Sequence, residues 1–273
     1  TFSPHPQFIF NPRRLFLLFS EEEKKIIVSA LDIPHILWVP FDERFASLSP
    51  FEFLDFLESK VHLTGIVVGE NFRFGAGRKG NISLLREYCH NNRLFFSPVP
   101  TLEIDGLAVS GTVVRGEVLS GRMQMAKYLL GYPFFMYQEI IPGHRRGREL
   151  GFPTANMNVP SHKIIPPSGV YAATVIVDGK CYPGALNIGS NPTFPDVKSL
   201  RIEVHIAGFY GDLYYKKILV FVEEYLRGER RFPNRQALST QLASDTELSV
   251  KLFEKNFAKE HDLYLHFAKY CRS

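Results

Sequence analysis

The chain has 273 residues, of which 45% are hydrophobic and 22% charged, and its formal net charge is +4. This composition excludes a disordered chain, and the length is enough for two hydrophobic cores. The small net charge favours a local phosphate site over a broad nucleic-acid surface. The three cysteines form no CxxC pair, and no apolar run reaches the roughly 18 residues of a membrane span, so we expect no disulfide framework, no membrane partner and a cytoplasmic location.

The first 132 residues alternate helical and strand-like patterns. TFSPHP at the start reads as the tail of a strand whose beginning is missing. Serine caps followed by acidic residues or proline predict helix starts, and a β-branched run between glycines predicts a buried parallel strand. The expected helices are 21–31, 51–60 and 83–91, and the expected strands are 36–39 and 65–69. This alternation predicts an α/β layer with a parallel sheet.

The pattern changes after residue 132, where short β-rich runs recur about every ten residues. The expected strands are 169–177, 180–188, 201–206 and 217–222. Asp178-Gly179 between two of them is a strong hairpin signal. These runs predict a barrel, and helical spacing returns from Asn234 to Tyr270. We therefore expect two domains, 1–132 and 133–273.

A glycine- and arginine-rich segment, GHRRGRELGFPTAN at Gly143 to Asn156, is the first candidate site. Its glycines allow close backbone approach to an anion, and its arginines would neutralise that anion. Thr154 and Asn156 are two residues apart, so on an extended segment both side chains point to one face and could be oxygen ligands of Mg²⁺. The alternative is a turn in which these side chains bond only the backbone.

A strand with charged residues on one face, RIEVHI at Arg201 to Ile206, is the second candidate. Alternation places Arg201, Glu203 and His205 on the same side. A carboxylate in such a position could accept the proton of a hydroxyl that attacks a phosphate. The alternative is the ordinary polar outer face of a barrel strand.

Five blocks in order resemble the motifs of riboflavin kinases: the segment 143–156, SGVYA at 168–172, ALNIGSNPTF at 185–194, ExHI at 203–206 and DLYY at 212–215. The resemblance implies a six-stranded barrel with a C-terminal helix, and an ATP site that contains Gly143, Arg148, Gly151, Pro153, Thr154 and Asn156. It further implies that Thr154 and Asn156 contact the ATP-bound Mg²⁺ and that Glu203 is the general base for the ribityl hydroxyl. Tyr215 stands where the family has glycine.

Further blocks in the first half resemble the nucleotidyltransferase module of bacterial FAD synthetases. They are TFSPHP at 1–6, FDERFASLSPFEF at 41–53, VVGENFRFGAGRKGN at 67–81 and SGTVVR at 110–115. The resemblance implies a Rossmann-like α/β domain whose flavin and nucleotide site includes His5, Asn71, Phe72, Phe74, Gly75, Ser110, Thr112 and Arg115. SGTVVR could instead be an ordinary capped helix start, and Gly111 replaces a family serine.

The HxGH motif of that family does not occur in the sequence. Either the motif lies before Thr1 or the protein lacks it, and in the second case we expect poor conversion of FMN to FAD. The overall expectation is an enzyme of flavin cofactor biosynthesis that acts on riboflavin, FMN and ATP, with possible self-association and no nucleic-acid partner. One alternative is a flavin-binding pseudoenzyme. The other is a nucleic-acid-binding protein that uses basic patches at His144–Arg148 and Arg227–Arg231.

Overall fold

A computed structural model of the protein describes residues 1–10, 17–143, 150–190 and 200–271. The chain forms two compact units. The front unit consists of Thr1–Leu15 and His35–Ser110, and the barrel unit of Phe16–Pro34 and Gly111–Ser273. The compact units therefore divide at Ser110, whereas the domain division at residue 132 stays a prediction.

The described helices are α1 (Pro6–Phe10), α2 (Glu21–Ala30), α3 (Glu43–Ala46), α4 (Pro50–Lys60), α5 (Ile82–Asn91), α6 (Gly111–Leu119), α7 (Met123–Leu130) and α8 (Arg235–Ala268). The described strands are β1 (Phe2–Ser3), β2 (Val39–Pro40), β3 (Gly65–Gly69), β4 (Phe95–Val99), β5 (Glu103–Ile104), β6 (Leu107–Ala108), β7 (Phe135–Ile141), β8 (Thr154–Met157), β9 (Gly169–Val177), β10 (Lys180–Ser190), β11 (Leu200–Ile206) and β12 (Lys217–Arg227). A short 3₁₀ helix spans Ala76–Arg78.

Side-chain caps start the helices where the sequence predicts them. Ser20 and Glu23 form a capping box on α2, and Ser49 and Glu52 form another on α4, whose first residue is Pro50. Each box satisfies two backbone N–H groups that the helix itself leaves without partners. The predicted helix starts at these positions are confirmed.

The described strands of the front unit form three separate two-stranded pairs rather than one wide sheet. β3 runs parallel to β4, β1 runs parallel to β2, and β5 and β6 form a hairpin. The expected burial of 65–69 is wrong, because β4 is the only described partner of β3 and Val67 is 62% exposed. The strand expected at 36–39 is reduced to its last residue, Val39, which continues to Pro40.

The barrel unit contains a closed six-stranded antiparallel barrel in the order β10-β11-β8-β7-β12-β9, with β9 paired back to β10. Asp178 and Gly179 have φ of 47° and 78° in the β9–β10 hairpin, the left-handed backbone that such a tight turn requires. All six strands contribute buried residues to one hydrophobic core, which α2, α7 and α8 extend. The predicted barrel with a C-terminal helix is confirmed.

Helix α2 belongs to the barrel unit although it lies in the first half of the sequence. Its Glu23 forms an ion pair with Lys163 at 2.8 Å, and both side chains are 0% exposed. Glu23 also accepts from the backbone N–H of Tyr137 at 2.9 Å. Burial lowers the pKa of Lys163, and the negative charge of Glu23 opposes that shift. This pair stabilises the attachment of residues 16–34 to the barrel.

Candidate active site

A cavity of about 310 Å³ lies between the outer face of the barrel and helix α8. Strands β8, β9, β10 and β11 contribute to one wall, and the first turns of α8 with residues 227–232 contribute to the other. Its lining mixes apolar and polar side chains, which suits a planar ligand with polar substituents. The residues are Leu150, Phe152, Thr154, Asn156, Val170, Ala185, Asn187, Arg201, Glu203, His205, Arg227, Glu229, Arg230, Phe232, Leu238, Leu242, Asp245 and Thr246.

Alternation on β11 places Glu203 in this cavity. Ile202, Val204 and Ile206 face the barrel core, so the intervening side chains face outward. The face of β11 that carries Glu203 is therefore an outer face of the barrel, as the alternative interpretation of RIEVHI predicts. Helix α8 covers this face. An outer strand face that a helix covers can form a binding cavity, and Glu203 lies in this one.

Glu203 is held between two neighbouring groups. Thr154 Oγ1 donates a hydrogen bond to Glu203 Oε2 at 3.2 Å. Arg201 Nε lies 3.5 Å from Glu203 Oε1, with both side chains partly exposed. The carboxylate is therefore oriented from both sides while it still lines the cavity.

Asn156 lies beside Glu203, since the two residues are register partners on β8 and β11. A Cβ atom on Gly143 would lie 2.0 Å from Asn156 Nδ2, closer than any real contact. Glycine at 143 therefore leaves the space that the Asn156 amide occupies. The structure thus brings Gly143, Thr154, Asn156 and Glu203 together.

Two further predicted residues of this site, Gly151 and Pro153, lie in the short segment just before β8. Gly151 has φ of 83°, a left-handed conformation that favours glycine. Pro153 precedes Thr154 directly, and its carbonyl accepts from His205 Nδ1 at 2.9 Å. Arg148 lies outside the described residues, as does the arginine-rich part of the segment.

A second cavity, of about 710 Å³, borders the first at Thr154, which lines both. Its other lining residues are Ile140, Pro153, Ala155, Val204, Ile206, Phe209, Tyr210, Gly211, Asp212, Leu213 and Tyr214. Two ligands that reacted with each other could therefore occupy adjoining cavities and meet at Thr154.

Several polar cavity residues were not singled out from the sequence. Asn187 on β10 is the register partner of Glu203 on the side opposite Asn156. The sequence pattern could have identified Asn187, because it is a polar residue between two hydrophobic residues, Leu186 and Ile188, which are buried. Together Asn156, Glu203 and Asn187 form a polar row across three strands.

An ion pair fixes the opposite wall. Arg227 at the end of β12 donates through Nη2 to Asp245 Oδ2 at 2.6 Å and through Nε to Oδ1 at 3.0 Å. Asp245 is 1% exposed, and it also accepts from Gln241 at 2.7 Å. Nothing in the sequence spacing pairs residue 227 with 245, so this contact required the packed position of α8.

The last residue of the DLYY segment has a backbone conformation that favours glycine. Tyr215 has φ of 64°, in the left-handed region that is costly for a residue with a Cβ atom. Its ring is 71% exposed. The turn therefore keeps the glycine-like backbone despite the tyrosine.

In the front unit, the predicted residues occupy different environments. His5 Nδ1 accepts from the backbone N–H of Gln7 at 3.2 Å, and Asn71 Nδ2 donates to Thr101 Oγ1 at 3.2 Å. Phe72 is partly buried and its ring stacks on that of Phe74, which is 6% exposed in the small core with Leu54 and Leu85. A ligand could reach His5 and Asn71 more readily than Phe74.

Gly75 has φ of 69°, and a Cβ there would lie 2.7 Å from the backbone nitrogen of Pro50. Glycine at this position therefore allows the loop after β3 to pack against the start of α4. Its placement is explained by packing, and a binding role stays a prediction.

SGTVVR begins at the end of the front unit and continues into helix α6 of the barrel unit. Ser110 is exposed, and Arg115 Nη2 donates to Thr112 Oγ1 at 3.2 Å within the first turns of α6. A helix therefore starts within this segment, at Gly111, whereas a side-chain cap on it stays a prediction. Phosphate binding by these residues stays a prediction.

Comparisons with known proteins decide the family. The sequence model of riboflavin kinase matches residues 130–253, and the model of FAD synthetase matches residues 1–113. The bifunctional riboflavin kinase/FMN adenylyltransferase of Pseudomonas fluorescens is 33% identical over 245 residues, which cover 89% of this chain and 78% of that protein. The chain belongs to the bifunctional riboflavin kinase/FMN adenylyltransferase family.

A second relative agrees with this assignment. The protein of the same name from Escherichia coli K12 is 34% identical over 258 residues, 92% of this chain and 80% of that protein. A solved structure from Streptococcus pneumoniae, described as a macrolide-efflux protein, matches with a TM-score of 0.80 at 27% identity and covers 91% of this chain and 81% of that one. In residues 1–10, 17–143, 150–190 and 200–271 no helix is long and apolar enough to cross a membrane.

Proposed function

We propose that the barrel unit transfers the γ-phosphoryl group of ATP to the terminal ribityl hydroxyl of riboflavin, forming FMN and ADP. The observation that carries this proposal is the position of Glu203 in a cavity with mixed apolar and polar walls, where it accepts a hydrogen bond from Thr154 at 3.2 Å. Riboflavin would occupy the 310 Å³ cavity, where Glu203 can reach its hydroxyl. ATP would occupy the adjoining cavity, which Thr154 borders.

In this reaction Glu203 accepts the proton of the ribityl hydroxyl. The hydroxyl oxygen forms a bond to the γ-phosphorus, and the bond from that phosphorus to the β-γ bridging oxygen breaks, so that ADP leaves with the electron pair. Asn156 and Asn187, the register partners of Glu203, would hold the neighbouring polar groups in line. Arg201 Nε, 3.5 Å from Glu203 Oε1, helps to orient the carboxylate.

Magnesium fits the oxygen donors of this site. Thr154 Oγ1 donates its hydrogen to Glu203 and still has lone pairs for a cation, and Asn156 contributes an amide oxygen. Mg²⁺ prefers a few protein oxygens together with phosphate oxygens and water. Thr154 and Asn156 would hold the ion, which would neutralise charge on the ATP phosphates.

We propose that the front unit carries the second activity named for the relatives, FMN adenylyltransferase. Its candidate residues on that unit are His5, Asn71, Phe72, Phe74, Gly75 and Ser110. Phosphate binding by Thr112 and Arg115 of α6 is a separate prediction. Substrates are small molecules, and we propose no nucleic-acid partner. The three cysteines are free thiols, as expected in the reducing cytoplasm, where we place the protein.

The test is product analysis after incubation with riboflavin, ATP and Mg²⁺, with FMN and FAD resolved by chromatography. We expect FMN from the wild type. Glu203→Gln keeps an oxygen that accepts from Thr154 but cannot take a proton, so the kcat for FMN should fall by about 10²–10⁴-fold. The matched control is Glu139→Gln, a carboxylate on β7 that lines neither cavity.

Full activity in Glu203→Gln would remove the base assignment. Riboflavin binding without FMN or FAD would instead support a pseudoenzyme. FAD in addition to FMN would support the adenylyltransferase activity proposed for the front unit, and FMN without FAD would contradict it.

A further inference from the structure

Residue His205 has no role in the chemistry described above, although it lines the first cavity. It follows Glu203 by two residues on β11, so both side chains lie on the outer face of the strand. Its register partner on β8 is Thr154. His205 therefore lies beside two proposed site residues without being one of them.

The side chain of His205 contacts the two residues before Thr154. Its Nδ1 lies 2.9 Å from the carbonyl oxygen of Pro153. Because a carbonyl oxygen only accepts, Nδ1 carries the hydrogen, and in the neutral ring Nε2 is the acceptor. The ring also packs edge-on against Phe152, with centroids 5.3 Å apart at 71°.

These contacts fall where the backbone has little regular structure. Residues 152 and 153 lie outside any helix or strand, between the left-handed Gly151 and the first residue of β8. Proline has no N–H group, so residue 153 can be hydrogen-bonded only through its carbonyl oxygen. His205 supplies the donor for that oxygen.

We infer that His205 is a positioning residue, which fixes the Phe152–Pro153 segment so that Thr154 presents its hydroxyl both to Glu203 and to the cation-phosphate side of the site. The catalytic consequence of this inference rests on the proposed kinase function. The placement of residues 152–154 by His205 does not depend on that function. Three consecutive residues are held by one side chain and its strand: Phe152 by ring packing, Pro153 by the hydrogen bond and Thr154 by strand pairing.

Three substitutions separate the hydrogen bond from ring packing. His205→Phe keeps an aromatic ring and removes the donor. His205→Asn places an amide N–H near the position of Nδ1, whereas His205→Gln places it near the position of Nε2. A positioning role through Nδ1 predicts that asparagine restores function and that phenylalanine and glutamine do not.

In the FMN assay, we expect His205→Phe and His205→Gln to lower kcat by about tenfold, the effect of one lost hydrogen bond, and to raise the Mg²⁺ concentration for half-maximal rate. The KM for riboflavin should change less than twofold. His205→Asn should lie within about threefold of the wild type. Equal kcat in the phenylalanine and asparagine variants would overturn the inference.

Backbone amide hydrogen exchange over residues 151–157, measured by mass spectrometry without substrates, tests the same inference independently of catalysis. His205→Phe should exchange faster than the wild type in this segment, and His205→Asn should match the wild type. Unchanged exchange in His205→Phe would overturn the inference even if the enzyme is active. Absence of FMN from the wild type would sink the proposed function, and the exchange result would still decide the role of His205.

Discussion

The front unit and the barrel unit differ in how much apolar surface they bury and in how their strands are paired. The fully packed cluster of the front unit consists of Leu54, Phe74 and Leu85, and its described strands pair two by two. The barrel unit has a core to which all six strands contribute, and its sheet closes on itself. Closure removes sheet edges and gives each strand two neighbours.

This difference affects the candidate sites. Thr154, Asn156, Asn187 and Glu203 lie on strands that are hydrogen-bonded on both sides, so strand register fixes their relative positions. The predicted residues of the front half lie in loops and at helix starts, where individual contacts such as that of Asn71 with Thr101, rather than strand register, determine their positions. A preorganised site is therefore expected in the barrel, and the next predictions test where each unit derives its stability.

Lys163→Met should have the largest effect on stability. Removal of the amine leaves Glu23 buried without its ionic partner, which should cost about 3–5 kcal/mol of unfolding free energy in the barrel unit. Urea unfolding followed by circular dichroism measures this. The fluorescence of Trp38, the single tryptophan, reports the front unit and should shift less.

The control for that experiment is Lys216→Met. Lys216 pairs with Asp178 at 3.2 Å, but both side chains are about half exposed. Its loss should cost at most about 1 kcal/mol. If Lys163→Met costs as little unfolding free energy as Lys216→Met, the buried pair does not hold helix α2 on the barrel.

Gly143→Ala should reduce catalysis more than stability. The new methyl group collides with the Asn156 amide and must displace it, so FMN formation should fall by roughly 10- to 100-fold. Steady-state kinetics and thermal unfolding measure the two effects separately. Gly116→Ala on helix α6, where a Cβ meets nothing within 4 Å, should leave the rate unchanged. A normal rate in Gly143→Ala would indicate that Asn156 moves without consequence.

Gly75→Ala should destabilise the front unit. The residue has φ of 69°, and its new methyl group would lie 2.7 Å from Pro50, so we expect a loss of at least about 2 kcal/mol in the Trp38 unfolding transition. Gly77→Ala has a similar φ of 61°, but its methyl group would meet only the Lys79 side chain at 3.9 Å, an ordinary contact, so it should lose only about 1 kcal/mol. Equal losses in the two variants would show that the packing of the loop against α4 contributes nothing.

Tyr215→Gly should have the smallest effect, and it should increase the free energy of unfolding. The left-handed conformation costs tyrosine about 1–2 kcal/mol, and the greater freedom of unfolded glycine offsets part of the relief, so the net gain should be about 0.5–1 kcal/mol. Thermal unfolding measures it. Tyr215→Ala keeps the unfavourable φ, and a gain as large in alanine as in glycine would assign the effect to the tyrosine ring.

Much of the local structure could be predicted because its causes are local. Ser20 and Ser49 cap helices through contacts three residues away, and Asp178-Gly179 closes a hairpin through its own backbone angles. Alternation on β11 predicts the shared face of Arg201, Glu203 and His205, which the structure confirms. The ordered motifs also predict the family, because they record residue types and spacings directly.

Other features depend on contacts between distant parts of the chain. The exposure of Val67 could not be predicted, because a β-branched run does not specify how many strands and helices will cover it. Nor could the burial of Phe74, since a core phenylalanine and a ligand-binding phenylalanine look alike in sequence. The sequence by itself determined the helix starts, the hairpin, the barrel class, the family and the face of Glu203. Only the tertiary structure decided that α2 docks on the barrel through Glu23 and Lys163, and that α8 covers the outer strand face and turns it into a cavity, because burial depends on which elements pack together.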